Sequence, residues 1–295
     1  MRSHLLPAAI FISFVVATQA TPAKIIEEVI RVPVKVSNAF GKTVSHEVIV
    51  TLFHDDRAAK PWPILLLNHG RSVDASERAA MGRAKYTANS VWFARLGFLV
   101  AVPTRVGYGE TGGEDVEDSG DCGQKRYSPV YEAAVVQSLA VLSELRKRLD
   151  VSPDRAVVVG QSFGGATAVA LAARHPAGVQ LAINFAGGGG GNPETRPENP
   201  CGQPQLKQLF KGYGETARMP TLWIYTENDK YFGAKLPREW FEAFSGAGGQ
   251  GEFEQFPADG QNGHGLFTRH PAVWQPRVLD FLRRHGYSSL TLMEP

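Results

Sequence analysis

Cysteine is almost absent from this chain, with Cys122 and Cys201 the only two among 295 residues. Neither has histidines at matching spacing, so the pair makes a poor zinc site, and no metal is expected. Long apolar runs are also missing. The stretch 5–16 is broken by Pro7 and Ser13, too short and interrupted to cross a bilayer comfortably. Basic clusters are scarce: the longest is Arg146-Lys147-Arg148, and the formal net charge is only +2. That leaves no electrostatic footprint for nucleic acid. There is no internal repeat and no low-complexity linker, which argues against several domains.

The N-terminus reads as an export signal. Arg2 supplies the positive charge, 5–16 the apolar core, and Thr18-Gln19-Ala20 the small residues a signal peptidase reads. We expect residues 1–20 to be removed, 21–287 to form a single domain, and 288–295 to be a tail. The mature protein should be secreted or periplasmic, without stable membrane insertion. In an oxidising compartment a lone cysteine pair is expected to be a disulfide. Cys122 and Cys201 both fall in polar, Gly- and Pro-rich segments that follow strands, so the bond should sit on the rim of the site.

The order of elements indicates the fold. Strands are expected at 25–36 and 44–53, which alternate apolar and polar, and at 64–67, 98–103, 156–159, 179–185, 221–226 and 251–256. Helices are expected at 79–96, 131–149, 163–174, 206–217, 236–244 and 273–285. Strands alternating with helices predict an α/β fold: a mostly parallel twisted sheet, helices on both faces, and an antiparallel N-terminal edge. Residues 188–217 read as an irregular insert over the site, beginning within the run of five consecutive glycines at 187–191.

Gly160-Gln161-Ser162-Phe163-Gly164 fits the nucleophile elbow G-x-S-x-G, with an apolar strand before it and an Ala-rich helix after it. The turn must be tight enough to project Ser162, and glycines at 160 and 164 remove side chains that would clash. A serine hydroxyl needs a base. His264, between Gly263 and Gly265 in a late loop, is preferred over His270. The imidazole in turn needs a carboxylate to fix its tautomer. Asp229, three residues past a strand end, ranks ahead of Glu227 and Asp259. The oxyanion needs two donors already in place. The N–H of Phe163 is one, and that of Arg71, with Ser72 as rival, is the other. His69 reads as a structural hydrogen-bonder. Arg105, Tyr108 and Gly188 lie on loops at the ligand side of such a sheet and are expected to line the pocket.

These motifs resemble the dienelactone-hydrolase-like branch of the α/β hydrolases, which has exported bacterial members. The resemblance rests on Asn68-His69-Gly70, Pro103-Thr104-Arg105 with Tyr108-Gly109, the elbow, Asn184-Phe185-Ala186-Gly187-Gly188, Glu227-Asn228-Asp229 and Gly263-His264-Gly265. It departs from true dienelactone hydrolases at the nucleophile, where they carry Cys and this chain has Ser162. The resemblance implies hydrolysis of a small-molecule carboxylic ester without cofactor or metal. Two alternatives remain: a peptidase resembling the prolyl oligopeptidases, and an inactive exported binding protein of the same fold.

Overall fold

The computed structural model describes residues 24–288 together with 290, 292 and 293. The expected signal segment 1–20 and its cleavage point lie outside the described residues.

Eight strands form one sheet: β1 Ile25–Ser37, β2 Thr43–Asp55, β3 Trp62–Asn68, β4 Leu99–Thr104, β5 Val151–Gln161, β6 Val179–Phe185, β7 Thr221–Thr226 and β8 Gly251–Phe256. Their order across the sheet is β1-β2-β4-β3-β5-β6-β7-β8. β2 is antiparallel to both β1 and β4, and every later pairing is parallel. The antiparallel character of the N-terminal edge therefore comes from β2 alone.

The central strands are apolar on both faces because both are covered. Alternate residues of β3 go to opposite cores, Ile64 and Leu66 to one and Leu65 and Leu67 to the other. The first core is closed by the helices α3 Tyr127–Leu145, α4 Phe163–Arg174, α5 Gln203–Thr216 and α6 Lys235–Gly246. The second is closed by α2 Thr87–Arg95, α7 Leu266–Arg269 and α8 Pro271–Arg284. Trp274 of α8 is fully buried there among Phe93, Phe185 and Phe267.

Four expectations need correction. The helix expected over 79–96 is two helices, α1 Ala75–Ala80 and α2, because the chain turns at Gly82 (φ 66°) and Tyr86 (φ 46°). The helix expected over 131–149 starts one turn earlier and stops at Leu145, and Leu149, at the end of the expected range, is fully exposed. The stretch 188–217 is irregular only as far as Gly202. Beyond that α5 is a regular helix, and its Gly214 abuts the backbone of Phe244 in α6. The expected tail is anchored in part: Leu290 is buried, and the Met293 N–H donates to the Arg95 carbonyl at 3.1 Å.

The edge strand β8 is fastened to α8 by charge. Glu252 accepts from Arg277 at 2.5 Å and from Arg284 at 2.8 and 2.9 Å. The bonds from Arg284, opposed by burial and aided by Arg277, hold the Glu252 carboxyl down at about 2. A carboxylate held below its unfolded value stabilises the fold above that value and loses the contribution as pH falls through the folded one. Glu252→Gln should therefore lower stability at neutral pH, and the difference from the parent should shrink between about pH 5 and pH 2. Urea melts across that range are the measurement.

Candidate active site

β5 ends at Gln161, and α4 begins at Phe163, leaving one residue to reverse the chain. Ser162 does so with φ 58° and ψ −123°, a backbone region costly for any residue with a Cβ. The turn is closed from both sides. The Ser162 N–H donates to the Phe185 carbonyl at 2.8 Å, and the Ser162 carbonyl accepts from Gly165 at 2.8 Å and Ala166 at 3.2 Å. A Cβ at Gly160 would fall on the carbonyl of Gly164, and one at Gly164 on the carbonyl of Asn68. Only glycine fits at either position.

The hydroxyl of Ser162 lies 3.0 Å from His264 Nε2, and His264 Nδ1 lies 2.8 Å from Asp229 Oδ2. Asp229 is completely buried. Its second oxygen accepts from the N–H groups of Tyr231 at 2.8 Å and Phe232 at 3.2 Å, so both carboxylate oxygens are committed. Tyr231 stacks on the imidazole with centroids 4.0 Å apart, and Phe232 meets it edge-on at 5.3 Å. Asn262 accepts from the His264 N–H at 3.2 Å and fixes the loop that carries the ring. The rivals are placed elsewhere. His270 and Asp259 pair with each other at 2.6 Å, on the surface side of the loop.

Phe163 and Arg71 meet Ser162 in one cavity of about 390 Å³. The Arg71 loop approaches closely: a Cβ on Gly70 would lie 3.2 Å from that of Ser162. Glycines 188–191 form another wall. A second hollow, about 430 Å³, also reaches Ser162 and is lined by Gln161, Tyr86, Lys85 and His264.

Arg105 and Tyr108 correct the pocket expectation. Both are buried behind the cavity wall and line neither hollow. Arg105 donates to Glu117 at 2.5 and 3.2 Å and to the His69 carbonyl at 2.9 Å. The Tyr108 hydroxyl donates to the same carboxylate at 2.6 Å and accepts from Arg71 at 2.9 Å. Arg71 is clamped to Asp115 at 2.8 and 2.5 Å, and Arg78 joins that carboxylate at 3.1 Å. Burial, then Glu117, pushes the Tyr108 phenol above the ordinary tyrosine range. Burial, then the Arg105 charge, holds His69 well below the ordinary imidazole range, so His69 is neutral. His69 Nδ1 donates to the Gly70 carbonyl at 2.6 Å, and Nε2 accepts from the Arg105 N–H at 3.2 Å. His69 is thus a structural hydrogen-bonder at the loop beside Ser162.

Sequence reasoning did not single out Glu117, Tyr86, Gln161 or Tyr231. Tyr86 accepts from the Gly70 N–H at 3.2 Å and donates to Gln161 at 3.1 Å, and Gln161 donates to the His264 carbonyl at 3.2 Å. These bonds join the three loops around Ser162. Nothing in their spacing signals this, although Gln161 is the second residue of the elbow. Cys122 and Cys201 are joined in a disulfide, and the Arg196 guanidinium sits against both sulfurs.

The sequence pattern of the dienelactone hydrolase family matches residues 79–281. The chain belongs to the dienelactone hydrolase family. That family makes it a hydrolase, and the fold is shared with solved esterases. The esterase Pf2001 of Pyrococcus furiosus is 14% identical, with a TM-score of 0.55 over 87% of this chain and 91% of that one. A putative dienelactone hydrolase from Klebsiella pneumoniae is 16% identical, with a TM-score of 0.52 over 86% and 97%. An acetyl xylan esterase from Paenibacillus sp. R4 is 16% identical, with a TM-score of 0.58 over 90% of each chain. At such identities the likeness is one of fold. No curated protein sequence matches the chain.

In this dienelactone hydrolase family member, the Arg105–Glu117 pair is the support beneath the loop that carries Arg71. Removing one partner of a buried pair strands the other charge, which costs about 3–5 kcal/mol. Glu117→Gln should lower stability by that order. Adding Arg105→Met to it should recover part of the loss. Urea unfolding of the single and double variants tests both statements.

Proposed function

We propose that the protein is a serine hydrolase that cleaves carboxylic esters through an acyl-enzyme, with Ser162 as nucleophile, His264 as general base and Asp229 as its orienting acid. The observation that carries this reading is the unbroken chain of bonds from Ser162 Oγ through His264 to the buried Asp229, 3.0 and 2.8 Å long. The Asp229 bond fixes the Nδ1–H tautomer and leaves the Nε2 lone pair facing the serine hydroxyl.

In the first half, His264 accepts the Ser162 proton as Oγ attacks the ester carbonyl. The N–H groups of Phe163 and Arg71 take the oxyanion. Phe163 stands at the first position of α4, where the helix dipole adds to its donor. The imidazolium then gives its proton to the alkoxide, and the alcohol leaves. In the second half, His264 takes a proton from water, hydroxide attacks the acyl-serine, and the acid departs as Ser162 regains its proton. These residues carry every proton transfer, and the route calls for no cofactor.

A peptidase reading is supported by the acylaminoacyl peptidase of Pyrococcus horikoshii, 13% identical, with a TM-score of 0.58 over 92% of this chain but 43% of that one. Peptide amides assayed beside nitrophenyl esters separate the two. An inactive binding protein would fail to label with a fluorophosphonate.

We also propose that residues 1–20 are an export signal and that 21–287 act as one domain outside the cytoplasm. The Cys122–Cys201 bond supports this, since disulfides persist in oxidising compartments. N-terminal sequencing of the exported protein should begin at Thr21.

Ser162→Ala should reduce ester turnover to background, and His264→Ala nearly so. Asp229→Asn should cost about 10³–10⁴ in kcat, while Asp259→Asn should cost little. Steady-state kinetics on a nitrophenyl ester measure all four. Full activity in Asp229→Asn with loss in Asp259→Asn would reverse the acid assignment.

A further inference from the structure

His264 and Arg71 stand on different loops, and each loop has bonds of its own. His264 lies in the short turn 263–265. Asn262 ties that turn to the Asp229 loop by accepting from the N–H groups of Lys230 at 3.0 Å and His264 at 3.2 Å. Arg71 lies on the loop after β3 and is held through its guanidinium by Asp115. Neither set of bonds fixes one loop against the other. A separate chain of three hydrogen bonds does so.

The Gly70 N–H donates to the Tyr86 hydroxyl at 3.2 Å, that hydroxyl donates to Gln161 Oε1 at 3.1 Å, and Gln161 Nε2 donates to the His264 carbonyl at 3.2 Å. Every direction is forced. The Gly70 amide can only donate, and the His264 carbonyl can only accept. A phenol that accepts from Gly70 has one proton left to give, so the Gln161 amide turns its oxygen to Tyr86 and its nitrogen to His264. Bonds running in one direction polarise one another. Burial pushes the Tyr86 phenol above the ordinary tyrosine range, with the Gly70 bond opposing, so the proton stays in place at neutral pH. Tyr86 is itself built into position. It sits at φ 46° and ψ 48°, a left-handed conformation unfavourable for a residue with a Cβ. Its ring meets Phe267 of α7 with centroids 5.6 Å apart, and Asn89, three residues on, donates to the Phe267 carbonyl at 2.7 Å. The other end is equally close: a Cβ on Gly70 would lie 3.1 Å from Gln161 Oε1. With the Gly70 N–H committed to Tyr86, the next N–H along, that of Arg71, is the one assigned to the oxyanion.

We infer that Tyr86 and Gln161 are positioning residues for ester cleavage: their hydrogen-bonded chain holds the Arg71 loop and the His264 loop at one separation around Ser162. This rests on the function proposed above, since it needs the Arg71 N–H and His264 to serve one reaction. Neither side chain exchanges a proton with the substrate. Their effect passes through the oxyanion donor and the base, which both half-reactions use, so acylation and deacylation slow together when the chain is cut. KM, which depends on the ratio of the two steps, then stays nearly constant while kcat falls. Both side chains line the second hollow, so a role in binding the substrate would show instead as a change in KM.

The test uses the full mature enzyme and 4-nitrophenyl butyrate. Tyr86→Phe keeps the ring against Phe267 and removes only the hydroxyl. Gln161→Met keeps the length of the side chain and removes both amide ends. Reactive sites are counted by labelling to completion with a fluorophosphonate, so misfolded protein does not enter kcat. Each substitution should lower kcat per labelled site about tenfold, the scale of one hydrogen bond, and leave KM within about twofold. The double variant should be no slower than the slower single one, because either change cuts the same chain. A trifluoromethyl ketone, whose serine adduct carries an oxyanion, should bind each variant about tenfold more weakly. A purely structural role would lower the melting temperature and leave kcat per labelled site unchanged, and that result would overturn the inference. So would losses that multiply in the double variant, or a raised KM at constant kcat. In each of these cases the serine hydrolase reading stands. If the parent enzyme turns over no ester, or Ser162→Ala turns it over equally fast, the proposed function fails first, and the inference with it.

Discussion

The backbone of Ser162 is the constraint on which the rest of this site depends. Holding a non-glycine residue at φ 58° and ψ −123° costs on the order of 1–3 kcal/mol. It persists because its peptide groups are bonded into three different elements. Its N–H is tied to Phe185 at the end of β6. Its carbonyl takes bonds from the first turn of α4 and, at 3.3 Å, from Gly188 at the head of the glycine run. The turn cannot relax without parting strand from helix. The glycines at 160 and 164 permit the approach, and the apolar sheet beneath gives the structure no softer place to yield.

Around this point the protein separates its polar work into two layers. Nearest the hydroxyl, one imidazole and one buried carboxylate are bracketed by Tyr231 and Phe232, which exclude water and fix the ring. Farther out, Arg105, Glu117, Tyr108, Arg71 and Asp115 form a bonded frame under the loop at 69–71. A frame of that kind adds little net stability over a well-packed apolar one, because desolvation offsets the attraction. What it does supply is geometry: Arg105 holds the carbonyl and ring of His69, Arg71 is held by its own guanidinium, and the loop backbone between them is fixed facing Ser162.

The sheet and the elbow were legible because they obey local rules. Strands buried on both faces are apolar throughout, as at 156–159, and a glycine-flanked serine between strand and helix has few other uses. α4, β6, β7 and β8 match their expected limits residue for residue. The 79–96 helix failed because its apolar residues continue through a turn that only backbone geometry at Gly82 and Tyr86 reveals. Arg105 and Tyr108 were placed on the correct loop but given the wrong direction. Whether a long polar side chain faces a pocket or a buried carboxylate depends on Glu117, twelve residues from Arg105, and no periodicity links them. Tyr86 and Gln161 escaped for the same reason, since the groups they bond, Gly70, each other and His264, are far apart in the sequence.

The disulfide has a topological consequence. It closes a stretch of chain 79 residues in separation that contains β5, Ser162, α4 and β6, while Asp229 and His264 lie outside it. Its exposed weak point is the turn at Glu194 and Thr195, inside the closed stretch. A protease that cuts there produces two polypeptides still joined by one covalent bond. The nicked molecule migrates as a single species until it is reduced, and the two cavity walls remain attached after the backbone connecting them is gone.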